Sequence, residues 1–300
     1  PELAALLRES AVGVTAEQYE RADERAIEAQ RQFLKTSGRA RAAVFWAGVA
    51  TAGILVVGAL AQGLPEGLEN ILLLVLASGG AVAGGLAGVW IQVIGRDKLL
   101  ETWMRYRAEA ETLRLRYFEQ VTRDSELSEP LLQLEYFRRY QLDVQRAFYG
   151  VRADEHRDAT ERATRASTLA TGVGAVATGL AGALGAALSA AWSALAGLGF
   201  AGQAVSARYD NREATTQSRR NAERYERTRK ILDRLYAKLD EVRSGTAQGE
   251  LAIMHEFVAA VHEQLSVEHR EWLDEMGSAG EAVRRLEDLL ASYREQQGVN

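Results

Sequence analysis

The chain predicts an all-α membrane protein: two apolar helical hairpins, four spans in all, joined to long charged helices. Three observations carry this. Ala42–Gly95 interrupts its uncharged run only at Glu66 and Glu69, and Ala166–Ala207 holds no Asp, Glu, Lys, Arg or His, in a chain that is 26% charged. Each block is long enough to cross a bilayer and return, since one crossing takes about 20 apolar residues. Basic residues bracket both blocks, while the turn inside the first carries only acid.

Composition narrows the function classes. A net charge of −5 argues against a general nucleic-acid binder. The absence of cysteine excludes disulfides, thiolate metal sites and cysteine nucleophiles, and suits a cytoplasmic soluble part. The 3 prolines, Pro1, Pro65 and Pro130, leave long uninterrupted helices open. The first apolar run starts near residue 42, deeper than a cleavable signal peptide reaches.

Taken in order, Thr15–Arg41 opens with Thr15-Ala-Glu-Gln18, a capping-box pattern, and runs towards the first span. Ala42–Leu64 and Ile71–Gly95 are the first two spans, with Gly63–Gly67 as their turn. Lys35, Arg39 and Arg41 precede them and Arg96, Lys98, Arg105 and Arg107 follow, so both ends belong in the cytoplasm and the turn outside. Arg96–Arg123 is expected to continue the second span. Ser128-Glu-Pro130 marks a turn and a fresh helix start. That helix leads through Tyr136, Tyr140 and Phe148 to the second block.

The second block is less apolar than its length suggests. Leu, Ile, Val and Phe total 9 in the first span, 12 in the second, and 10 across all of Ala166–Ala207. At roughly −0.3 to −0.6 kcal/mol each, the first two spans gain about −3 to −7 kcal/mol apiece and each half of the second block only about −1.5 to −3. Its spans fall near Ser167–Ala187 and Ser189–Ser206, turning around Leu188–Trp192, and need protein neighbours to stay inserted. Tyr209–Arg243 then repeats the post-hairpin helix, and Ser244–Gly249 reads as a linker. The layout divides as residues 15–125 with hairpin 42–95, residues 126–243 with hairpin 166–207, and a helical tail over 244–300.

The tail carries a heptad stripe, Leu251, Met254, Val258, Val261 and Leu265, then Trp272 after a charged Glu268. It resumes as Val283, Leu286, Leu290 and Tyr293. His255, His262 and His269 recur along its edge, about 10.5 Å apart on one helix, too far for two to share a metal. The reading favoured for them is a solvated helix edge; a modest pH response is the alternative.

Within the spans, Gly80, Gly84 and Gly88 stand on one face of the second and predict a close-packing seam, with Leu86, Trp90 and Ile94 on the opposite side. Gln92 and Gln203 are the amides near the inner ends; each faces a pore, a neighbouring helix or headgroup water, because an unpaired amide in hydrocarbon is costly. Gly172-Val-Gly174-Ala-Val-Ala177 fits a dinucleotide fingerprint only formally, lacking a preceding strand and a following acid. Trp103, Arg107 and Glu111 recur every fourth residue, so one face offers an aromatic body and an ion pair for packing on a neighbouring helix. Nothing combines acid, base and nucleophile, so the chain is not expected to be an enzyme, and no cofactor or metal is expected.

A helix, a two-span hairpin with a short turn, and then Trp103-Met-Arg-Tyr-Arg107-Ala-Glu-Ala-Glu111-Thr-Leu113 resemble the SLATT family, two-transmembrane effector domains of bacterial defence systems. The second unit, with Tyr209-Asp-Asn-Arg212 and Tyr225-Glu-Arg-Thr-Arg229, is similar to a second copy of another subtype, although it lacks a Trp at the matching place. The resemblance covers roughly residues 15–243. It implies an effector that oligomerises and opens or disrupts the inner membrane when a sensor protein or a nucleotide second messenger reports phage. The rival expectation is a non-permeabilising scaffold or sensor that recruits a cytoplasmic partner through its helices.

Overall fold

The computed structural model describes residues 11–60, 65, 67–123, 129–184 and 218–277, and all secondary structure among them is helical. In chain order the elements are α1 (Ala11–Leu60), α2 (Leu68–Arg96), α3 (Leu99–Arg123), α4 (Pro130–Phe137), a π-helical turn (Arg138–Leu142), α5 (Asp143–Leu184), α6 (Ser218–Tyr236), α7 (Leu239–Ala247) and α8 (Leu251–Gly277). The chain forms two compact units: residues 1–31, 100–158 and 218–277 make one, and residues 32–99, 159–217 and 278–300 the other. Among the described residues, the helices flanking the first apolar block thus contribute to the first unit and that block to the second.

In the first unit, Phe118, Leu134, Phe137, Leu142, Tyr149, Leu232, Leu239, Val242, Met254, Phe257, Val258, Val261 and Leu265 form the core. Met254, Val258, Val261 and Leu265 are the stripe expected on α8, and Trp272 extends it. Leu251 does not join them; it begins the helix and lies exposed. Pro130 starts α4 at the first helical turn, where its missing N–H costs nothing. The π turn that follows brings residues five apart together, and Arg138 Nη1 donates to Asp143 Oδ2 at 2.5 Å. Arg138 Nε also donates to Glu135 Oε2 at 2.7 Å, while Arg243 Nε on α7 donates to Glu135 Oε1 at 2.5 Å.

Four boundaries differ from the sequence expectation, the first being that the helix expected over Tyr209–Arg243 breaks at Ala237–Lys238, between α6 and α7. The helix that should open at Thr15 is already formed at Ala11, and Thr15 is buried inside it, so the capping-box pattern does not mark the helix start. The second span does not continue smoothly into the next helix: α2 stops at Arg96, and Lys98 adopts a left-handed φ of 47° before α3. Lysine seldom adopts a left-handed backbone, so the sequence carries no signal for a break at this residue. The expected linker Ser244–Gly249 is helical to Ala247; only Gln248 and Gly249, with φ of 89°, make the turn into α8.

The second unit contains the first hairpin. Arg39 on α1 lies over the Trp90 ring on α2, 4.9 Å from its centroid, and a Cβ on Gly53 would stand 3.0 Å from Leu76 Cδ2. Both pairings are centred on the turn between the helices, which makes α1 and α2 an antiparallel pair. The buried row of α2 is Gly80, Gly84, Ala87, Ile91 and Ile94, the 4–3 spacing of a helix packed along one stripe. Ile94 therefore shares the glycine face; the sequence had placed it opposite, with Leu86. Of the second block, the expected span Ser167–Ala187 is helical within α5 as far as Leu184, while its last residues, the span Ser189–Ser206, Gln203 and the stripe beyond Gly277 lie outside the described residues.

Candidate functional site

Two places concentrate chemistry, one in each unit. The first is a charged network inside the helical unit. On α3, Arg107 Nη2 lies 2.5 Å from Glu111 Oε1, and its Nη1 lies 3.6 Å from Asp23 Oδ1 on α1. Arg114 holds the second oxygen of Glu111. The face expected to carry Trp103, Arg107 and Glu111 is thus turned inward: Trp103 and Glu111 are buried, and Trp103 meets Trp272 of α8 edge-on with centroids 5.5 Å apart.

Close by in the same unit lies a set of residues that the sequence did not single out. Arg224 on α6 is only 1% exposed; its Nε donates to Glu268 Oε1 on α8 at 3.1 Å and it also donates to Asn221 Oδ1. Tyr149 Oη on α5 donates to Glu268 Oε2 at 2.8 Å. Glu268 looked like an interruption of the α8 stripe, yet it anchors three helices. The available signal was its position: a lone carboxylate at a seam register is either solvated or paired, and pairing is what makes burial tolerable.

The two carboxylates respond oppositely to burial. Burial works against the ionised form of Glu111, but Arg114 and Arg107 overcome it and hold its pKa below the usual range. Burial of Glu268 outweighs the Arg224 guanidinium and the Tyr149 hydroxyl, and its pKa is raised. Tyr149 is pushed well up, first by burial and then by the Glu268 charge. The network holds helices in register. Its bonds run between helices, from Arg107 on α3 to Asp23 on α1 and from Tyr149 on α5 and Arg224 on α6 to Glu268 on α8.

Two of the three histidines, His262 and His269, depart from the solvated-edge reading. His262 packs against Phe137 at 5.5 Å, and burial, with Arg114 and Arg123 nearby, lowers its pKa to about 4. His269 stacks on Trp272 at 5.8 Å and is also lowered, chiefly by burial. A depressed histidine favours the fold while neutral. The His262 contribution is therefore complete above the ordinary histidine pKa of about 6.5 and is lost as pH falls towards 4, by up to about 3 kcal/mol. Denaturant titrations across pH 7 to 4 should show this loss, and His262→Gln should flatten it.

The second place is the hairpin. Gly80 and Gly84 are buried and Gly88 half-buried, whereas Gln92 is exposed one turn beyond Gly88. Gly53 supplies a close approach that the sequence did not reveal, because its partner Leu76 lies across the turn. Gly53→Val should displace Leu76 and cost about 1–3 kcal/mol, read as a lowered melting midpoint in detergent. Two described helices, Val12–Gly58 and Leu68–Arg96, are long and apolar enough to cross a membrane, and only 17% of the most apolar window of the latter is buried. Ile71, Leu74, Val75, Val82 and Val89 project into the surroundings, Leu74 at 67% exposure.

No protein-family model, curated protein or solved structure matches the chain.

Proposed function

We propose that the chain is a multi-pass protein of the bacterial inner membrane, with both termini cytoplasmic, and that it acts as an effector of anti-phage defence, permeabilising that membrane as a homo-oligomer when a sensor triggers it. One observation carries the membrane part: α2 is apolar along its length and yet leaves most of that surface uncovered by protein. Soluble monomers seldom expose a continuous apolar face of this extent, and lipid is the solvent that makes it favourable. The antiparallel pairing with the distal part of α1 makes the pair a hairpin, and the uncharged run over 166–207 supplies two more spans.

The permeabilising part draws on the weak apolarity of that second block, since shallow equilibria shift under small biases. The defence context draws on the Trp103–Leu113 run that resembles SLATT. Carbonate washing of membranes followed by dye influx on overexpression tests both parts. Membrane-retained protein with dye entry supports the effector. Retained, folded protein with an intact membrane potential favours the scaffold that recruits a cytoplasmic partner, and release by carbonate overturns the membrane reading itself.

A further inference from the structure

Along α1 the cations change their company. Arg21 pairs with Glu17 at 3.1 Å, Arg25 with Glu109 at 3.1 Å and Arg31 with Glu28 at 2.7 Å. The next two, Lys35 and Arg39, have no carboxylate partner among the described residues, and no acid occurs in the sequence between Glu28 and Glu66. They stand four residues apart on one exposed helix face, at the end of the hairpin away from its acidic turn. Arg39 is held over the Trp90 indole, and Arg96, on α2 at the same end of the hairpin, is highly exposed with Asp97 at 4.0 Å as its carboxylate neighbour. An aromatic ring at the edge of an apolar helix and a cation resting on it are the elements that settle at headgroup depth.

We infer that Lys35, Arg39 and Trp90 form a docking surface for the phosphate of anionic phospholipid headgroups. The unpaired positive charge selects a negative partner, and the exposed apolar flank beside it, Leu86 and Val89, selects one that carries acyl chains. This rests on the membrane reading above and names the lipid that reading would take.

The test uses the full chain in detergent micelles, titrated with dioleoyl phosphatidylglycerol, dioleoyl phosphatidylcholine or inorganic phosphate, with bound lipid counted by native mass spectrometry. Phosphatidylglycerol should bind at least tenfold more tightly than phosphatidylcholine. Lys35→Gln with Arg39→Gln should weaken it about thirtyfold, since each cation near the surface contributes about fivefold. Arg116→Gln, an exposed cation of the helical unit, should leave it unchanged, with helicity by circular dichroism matching across the variants. Equal binding of the two lipids, an unaffected double variant, or phosphate binding as well as phosphatidylglycerol would each overturn the inference, although the chain could still be a membrane protein. A chain that stays monodisperse without detergent removes the membrane reading and this inference together.

Discussion

Arg224→Met lowers the stability of the helical unit by about 3–5 kcal/mol, the range expected when one partner of a buried ion pair is removed and the other is left uncompensated. Glu268 would then keep a single donor, Tyr149, and its raised pKa would climb further, so the variant should be least stable at neutral pH and recover partly as the medium is acidified. The sign follows from the direction of the Glu268 shift: a carboxyl whose native pKa is raised favours the fold when protonated and costs stability as pH rises. Replacing both charges, Arg224→Met with Glu268→Leu, should recover most of the loss, because two apolar groups of similar volume need no compensation. Tyr149→Phe added to that pair removes the hydroxyl donor that Glu268 had accepted from, and the three changes are expected to be strongly non-additive. Urea titrations followed by tryptophan fluorescence report this directly, since Trp272 lies one turn from Glu268 on α8. A single variant as stable as the parent would mean that Arg224 and Glu268 do not meet.

The second large effect belongs to the hairpin. Val82 projects from the middle of α2 at 64% exposure. On the surface of a soluble helix, Val82→Lys would be neutral within about 0.5 kcal/mol and would improve solubility. In a span facing lipid it costs roughly 2.5–3.5 kcal/mol at the helix centre. Membrane-inserted fraction after carbonate washing should fall for Val82→Lys and hold for Gln92→Lys, which lies exposed at the basic end of the hairpin, where a cation meets headgroups. Equal retention of both variants would place Val82 in water or in a protein interface.

What sequence reasoning could reach depended on the range of the interaction. The scarcity of charge over Ala42–Gly95, broken only at Glu66 and Glu69, is a composition property spread along the whole segment, and the paired helices it predicts are those observed. The α8 stripe is periodic at helical spacing, so Met254, Val258, Val261 and Leu265 were legible as a seam without knowing what covers it. Glu268 was not, because its meaning is set by Arg224, 44 residues earlier, and Tyr149, 119 residues earlier. The histidine edge failed in the same way: burial of His262 comes from Phe137 on another helix. Local signals also misled where tertiary structure outweighed them. Thr15 carries the right spacing for a cap but sits within a longer helix, and the break after α2 places its left-handed residue at Lys98 rather than at a glycine.

Because the chain contains no cysteine, a single spin label at Val82→Cys reports one site without background. With the full chain reconstituted in lipid vesicles, its collision rates with oxygen and with a water-soluble nickel chelate measure what touches α2. Oxygen should dominate at Val82, and the nickel chelate should gain at Gln92→Cys. A label at Val82 that is open to the chelate and closed to oxygen contradicts lipid contact, and with it the reading of this hairpin as membrane-spanning.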